Sequence, residues 1–93
     1  MVMKYEPWGD DPIFEWDEDT DEKFWHHKIR DFEVMECFKN AHDTRPHPKS
    51  ASQFERYGDR FEVRGVTDGG RRLVIYVQYK GANVVRPFTG WPE

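Results

Sequence analysis

The stretch 61–88 limits what this chain can fold into more than any other. Three runs rich in β-branched and aromatic residues, 61–67, 72–79 and 84–88, are separated by two clusters of turn formers, Asp68-Gly69-Gly70 and Lys80-Gly81-Ala82-Asn83. This pattern predicts a three-stranded antiparallel meander. Asp68-Gly69-Gly70 supplies the positive backbone angles that a tight hairpin needs, and Lys80 to Asn83 does the same less sharply. The middle run, 73–79, is apolar at almost every position. It is expected to be the central strand, covered at least partly on both faces, and upstream residues must supply that cover.

The upstream pattern provides two helices. Residues 1–12 carry Pro7, Gly9, Asp10, Asp11 and Pro12 and read as an irregular lead-in, with Trp8 tucked against the body. Residues 13–16 alternate and predict a short first strand, an edge beside the meander. The acidic run 17–22 then opens a helix over 19–27, with Asp17, Asp19 or Thr20 as its cap. Phe24 and Trp25 are its apolar contribution. A second helix fits 30–39, where Ile29, Phe32, Met35 and Phe38 recur three apart beside Val34 and Cys37. Asp31 or Arg30 bounds it at the start and Asn40 stops it. Residues 41–53 hold Pro46, Pro48, Ser50 and Ser52 with almost nothing apolar and read as an exposed loop. Strand pairing is expected to start around 53–57, with Gly58-Asp59 a bend or bulge. Trp16, Phe24, Trp25, Phe32, Phe38, Tyr76 and Cys37 are most simply core residues.

Ninety-three residues make one domain with one core. The single cysteine excludes an intramolecular disulfide, which fits a reducing compartment. No apolar run approaches the roughly 18 residues that span a bilayer, and no long apolar signal core opens the chain. A cytoplasmic protein without membrane contact is the expectation. The net charge of −4 is unevenly spread: residues 1–40 carry 12 acidic and 5 basic side chains, and residues 54–93 carry 5 and 7. The overall field would not draw nucleic acid, so only a local basic patch could do so.

Four short strings, in order along residues 13–90, carry a resemblance. They are Phe14-Glu15-Trp16-Asp17, His27 to Phe38, Arg60-Phe61 with Gly65 to Leu73, and Val85-Arg86-Pro87-Phe88-Thr89-Gly90. Together the chain resembles the BrnT family of toxins from type II toxin–antitoxin systems, which share the fold of the RelE ribonuclease toxins. That resemblance implies an α+β domain over residues 1–93, with two N-terminal helices packed on a mainly antiparallel sheet of about four strands. It implies a hydrolase that cleaves RNA and blocks translation. It also implies a ribbon-helix-helix antitoxin partner, through which alone DNA would be engaged. The family's charged C-terminal helix has no counterpart after Gly90. With the acidic balance, this makes a catalytically inactive BrnT-like protein-binding module, or a degenerate toxin, the alternative.

RNA cleavage by its own 2′-hydroxyl needs no metal and no cofactor, but it needs cations for the phosphate and a group that moves protons. Phe61 and Val63 share one strand face, so Arg60, Glu62 and Arg64 share the other. Tyr76 and Gln78 join them if the register permits. Arg86 would complete a cationic cluster, although its parity partners Val84 and Phe88 are apolar and leave its face open. The candidate catalytic residues are Arg60 and Arg86, to bind or polarise the phosphate, with His27 or Glu62 as proton acceptor; Arg64, Arg71 and Tyr76 are candidate substrate-binding residues. The competing reading is a solvated strand face with cross-strand ion pairs. His26 and His27 also suit the negative end of the first helix. His42 and His47 flank Asp43 but lack the further ligands of a metal site. The acidic run 17–22 could dock a basic antitoxin segment.

Overall fold

A computed structural model describes residues 6–93, except the side chain of Asp21. Residues 1–5 of the expected lead-in lie outside the described residues. The elements follow as β1 (Ile13–Phe14), α1 (Glu18–His26), α2 (Asp31–Lys39), β2 (His42–Pro46), α3 (Phe54–Tyr57), β3 (Arg60–Val66), β4 (Arg72–Gly81) and β5 (Val84–Pro92). The class is α+β. The sheet has five strands in the order β1-β5-β4-β3-β2 rather than about four, and it is mixed, because β1 runs parallel to β5.

The meander forms as its sequence implies, with β4 between β3 and β5. The second turn is a two-residue connection in which Ala82 (φ 50°) and Asn83 (φ 65°) both take left-handed backbone angles. That geometry matches the twist of the flanking strands. Asn tolerates it, whereas the Cβ of Ala makes it unfavourable.

Helices α1 and α2 lie against one face of the sheet, α1 on β5 and α2 on β3 and β4. Each begins with a satisfied end. The Asp17 carboxylate accepts the Thr20 N–H at 2.8 Å at the start of α1, and the Glu33 carboxylate accepts the Arg30 N–H at 3.0 Å at the start of α2. The helix residues Phe24, Val34, Cys37 and Phe38 meet Phe61, Val63, Leu73, Ile75, Val77 and Val85 from the sheet. Trp8 closes one end of this core at 1% exposure, with ring contacts to Phe38 at 5.7 Å and Phe61 at 5.4 Å. Burying a ring of this size contributes about 1.5–3 kcal/mol.

Close approach depends on two glycines. A Cβ on Gly65 would lie 2.8 Å from Cys37 Cβ, and one on Gly90 would lie 2.7 Å from Phe24 Cε1. The strands therefore present bare backbone where α2 and α1 come nearest. Cys37 is fully buried as expected, and burial, with Glu33 and Glu36 adding to it, pushes its thiol up to about 12.

Three expectations are corrected. The loop over 41–53 contains β2, which pairs antiparallel with β3 from His42↔Gly65 to Pro46↔Phe61. Its sequence lacks apolar alternation because it is an edge strand, and the ladder to β3 holds it in place. Pro46, its last residue, is tolerated at an edge. The carboxylate of Glu6 ties the lead-in to this strand by accepting from Thr44 and meeting His42. Residues 53–57 do not start a strand. They form one helical turn, with the Tyr57 N–H donating to Gln53 O at 2.9 Å and the Gly58 N–H to Phe54 O at 2.8 Å. Trp25 and Phe32, expected in the core, are 47% and 53% exposed. Trp25 instead lies under Lys28 and Arg30, a cation–π arrangement that half-covers the ring.

Two variants test this packing. Gly65→Ala is expected to destabilise the domain by about 1–3 kcal/mol through overpacking against Cys37, read as a lower urea midpoint at unchanged m-value. Ala82→Gly is expected to stabilise it by roughly 1 kcal/mol by removing the left-handed alanine, read the same way.

Candidate functional site

Strand register decides which side chains share the face away from α1 and α2. Arg60 pairs with Gln78 and Gln78 with Arg86, so these three form one row across β3, β4 and β5. The next row is Arg45, Glu62, Tyr76 and Thr89, and the one after it is Asp43, Arg64, Val74 and Trp91. The face of Arg86, open in the sequence, is settled by β5 itself. Val85 and Pro87 are buried on the helix side, and the register shifts between Tyr76 and Val77. Alternation from buried Pro87 points Phe88 outward with Arg86, beside Arg60, and the bulge leaves Phe88 unpaired and keeps Thr89 on that face opposite Tyr76. Arg60, Glu62, Arg64, Tyr76 and Arg86 thus share one face.

Their electrostatic states differ. Glu62 is only 7% exposed, and both oxygens are occupied: Oε1 accepts from Arg64 Nε at 2.6 Å and Oε2 from the Tyr76 hydroxyl at 2.9 Å. Burial opposes its charge, yet the bonds from Arg64 and Tyr76 and the charges of Arg64 and Arg45 hold its carboxyl below the usual range. Burial and the bond to Glu62 push the Tyr76 phenol up. Arg64 also donates to Glu93 at 3.1 Å. Arg86 reaches over the β1 edge to Asp17, with Nη2 at 2.8 Å and Nε at 3.1 Å from one carboxylate oxygen. The bonds from Thr20 and then Arg86 hold the Asp17 carboxyl down at about 2.

Arg60 has a different environment. Its guanidinium lies 5.1 Å from the Tyr57 ring centre and 5.2 Å from that of Phe88, and its buried Nε makes no hydrogen bond among the described residues. No carboxylate pairs with it there. Lys49 and Arg56 also approach the Tyr57 ring, at 5.4 and 5.6 Å. The His47 ring stacks on Tyr57 at 4.6 Å and tilts against Tyr76 at 5.2 Å. Tyr76 continues the aromatic surface to Trp91 at 5.3 Å. A cationic patch built around rings therefore stands on an otherwise acidic protein. Such a patch attracts phosphate through charge and offers flat surfaces to bases.

The chain matches no protein-family model and no curated protein.

Two candidates lie elsewhere. His27 is the C-cap of α1, and its carbonyl accepts from Arg71 Nη2 at 2.8 Å. Arg71 Nη1 also binds Lys28 O at 2.7 Å and meets Glu33 at 3.3 Å, so this side chain clamps the α1–α2 junction to the β3–β4 turn. That turn follows Val66, at the other end of β3 from Arg60, about 20 Å away at the usual rise per residue. His27 and Arg71 are therefore not brought to the Arg60 cluster. Conversely, His47, Tyr57, Phe88 and Trp91 join the cluster without having been singled out for it. The available signal was charge: residues 45–60 hold Arg45, Lys49, Arg56 and Arg60 in an acidic chain. No group of three or more His, Cys, Asp or Glu among the described residues is placed to hold a metal ion, and no helix there is long and apolar enough to cross a membrane.

Asp17 gives a pH test. Its folded-state value lies below the ordinary 3.8, so its contribution to stability is present above about pH 4 and is lost as pH falls toward 2. Asp17→Asn keeps a capping oxygen but removes the titration. The variant is expected to show a shallower fall of Tm over that interval than the parent protein.

Proposed function

We propose that this protein is a BrnT-like toxin ribonuclease with a RelE-like arrangement, acting on RNA in the cytoplasm and held in check by an antitoxin. One observation carries the reading: Arg60 and Arg86 stand in one row across three strands, on the face that α1 and α2 leave uncovered. Their Cα atoms are two strand spacings apart, about 10 Å, a gap that two arginine side chains can bridge to one phosphodiester.

In the proposed reaction the 2′-oxygen of a ribose attacks the adjacent phosphorus while the 5′-oxygen leaves. The products are a 2′,3′-cyclic phosphate and a 5′-hydroxyl end. The 2′-proton passes to water and the leaving oxygen takes one from water. Arg60, which pairs with no carboxylate among the described residues, is the cation for the charge that builds on the non-bridging oxygens. Glu62 is not a poised base, because its carboxyl is held low and both oxygens are engaged. It positions Arg64 and Tyr76 instead. The acidic start of α1 suits a basic segment of the antitoxin.

The same observations favour a second reading, a binding module without catalysis. Arg86 is already paired with Asp17, and both oxygens of Glu62 already accept hydrogen bonds. Catalysis and binding are separable with purified protein and structured RNA. The ribonuclease reading expects cleavage to 2′,3′-cyclic ends that Arg60→Ala reduces roughly 100-fold. In cells, expression without a partner is expected to arrest growth, and the Arg60→Ala, Arg86→Ala double variant to relieve the arrest. Normal growth at high levels of the parent protein rejects the toxin reading, and RNA left uncut by the purified parent protein selects the protein-binding module.

A further inference from the structure

His47 follows directly on the last residue of β2, and its own N–H donates to Arg60 O at 3.0 Å. The backbone bond sets His47 opposite Arg60, and the ring contacts to Tyr57 and Tyr76 fix the imidazole plane. The Lys49 N–H donates to His47 Nδ1 at 3.0 Å. A peptide N–H can only donate, so Nδ1 carries the lone pair and the ring proton resides on Nε2. Nε2 has no hydrogen-bond partner among the described residues.

We infer that His47 is a binding residue of the Arg60 site, presenting a fixed, neutral Nε2–H donor to a non-bridging oxygen of the bound phosphodiester. This rests on the phosphate-binding part of the proposed function and adds a residue to it. The groups facing the ring are Lys49 on its own segment, Tyr57 of α3, Arg60 and Glu62 of β3, and Tyr76 of β4. Burial, then Arg60 and Lys49, disfavour a second proton, and Glu62 opposes them with a smaller effect. A second proton would also have to sit on Nδ1, against the Lys49 N–H. Burial and the neighbouring cations together with the Lys49 N–H therefore favour the uncharged imidazole. Its contribution to anion binding is that of a directed donor.

The test uses the full chain and a single-stranded 2′-O-methyl RNA oligonucleotide, which binds but cannot be cut. His47→Ala is expected to weaken binding roughly tenfold, the usual effect of losing a hydrogen bond to a charged group. His47→Gln can accept from Lys49 and still donate, and is expected to stay within about threefold of the parent protein. Nitrogen-15 spectra of the imidazole should show the proton on Nε2. Parent-like binding by His47→Ala, equal weakening by Ala and Gln, or a proton on Nδ1 overturns the inference. If Arg60→Ala still weakens binding in those cases, the proposed phosphate site stands without His47. Binding insensitive to Arg60→Ala, or no binding by the parent protein, overturns both.

Discussion

The ladder joining β4 to β3 on one side and to β5 on the other sets the positions of Arg60, Glu62, Arg64, Tyr76 and Arg86 in the candidate site. Backbone pairing fixes which side chains stand opposite one another, and a slip of one residue would send Arg60 and Glu62 into the core and Phe61 and Val63 into water. The core prevents that slip. Phe61, Val63, Leu73, Ile75, Val77 and Val85 are all buried against the helices. Gly65 and Gly90 add a second lock, because only those positions let α2 and α1 come close. Hydrophobic burial on one side of the sheet thereby sets polar placement on the other.

Charge is organised by the same layering. The acidic half of the sequence forms α1 and α2, and the segment after β2 forms a ring-centred cationic patch on the opposite face. The patch departs from the arrangement of the protein's other ion pairs. Arg64, Arg71 and Arg86 each meet a carboxylate, whereas Arg60 is held between rings and beside other cations. An arginine beside the Tyr57 and Phe88 rings keeps its charge and its guanidinium donors, which are the groups that pair with a phosphate. Glu62 is drawn into supporting Arg64 and Tyr76, so the site is richer in charge and positioning than in proton-transfer groups.

The meander, both long helices, the first edge strand and the buried cysteine were legible from the chain because their signals are local. Apolar periodicity, turn chemistry and capping residues each act within a few positions. The alternation through Phe61 and Val63 also placed Arg60, Glu62 and Arg64 together. The strand His42–Pro46 was hidden because an edge strand needs no apolar alternation when its neighbour supplies the hydrogen bonds. The turn Phe54–Tyr57 was mistaken for strand because its aromatic residues suit either state in so short a run. Trp25 follows the buried Phe24 and so points about 100° away from it, and α2 buries Val34, Cys37 and Phe38 rather than the face of Phe32.

The sequence by itself determined that the chain builds an α+β layer with arginines and a glutamate on one face of a meander. Only the tertiary structure decided which of them meet. The bulge at Phe88 sets the face of β5 beyond it, and pairing across the sheet brings Arg86 into the row of Arg60. Folding of the 47–57 segment over that face brings His47 and Tyr57 to it and leaves His27 with the distant hairpin. Alternation fixes a side chain's direction within one strand. Which strands become neighbours, in what register, depends on contacts between residues far apart in the chain.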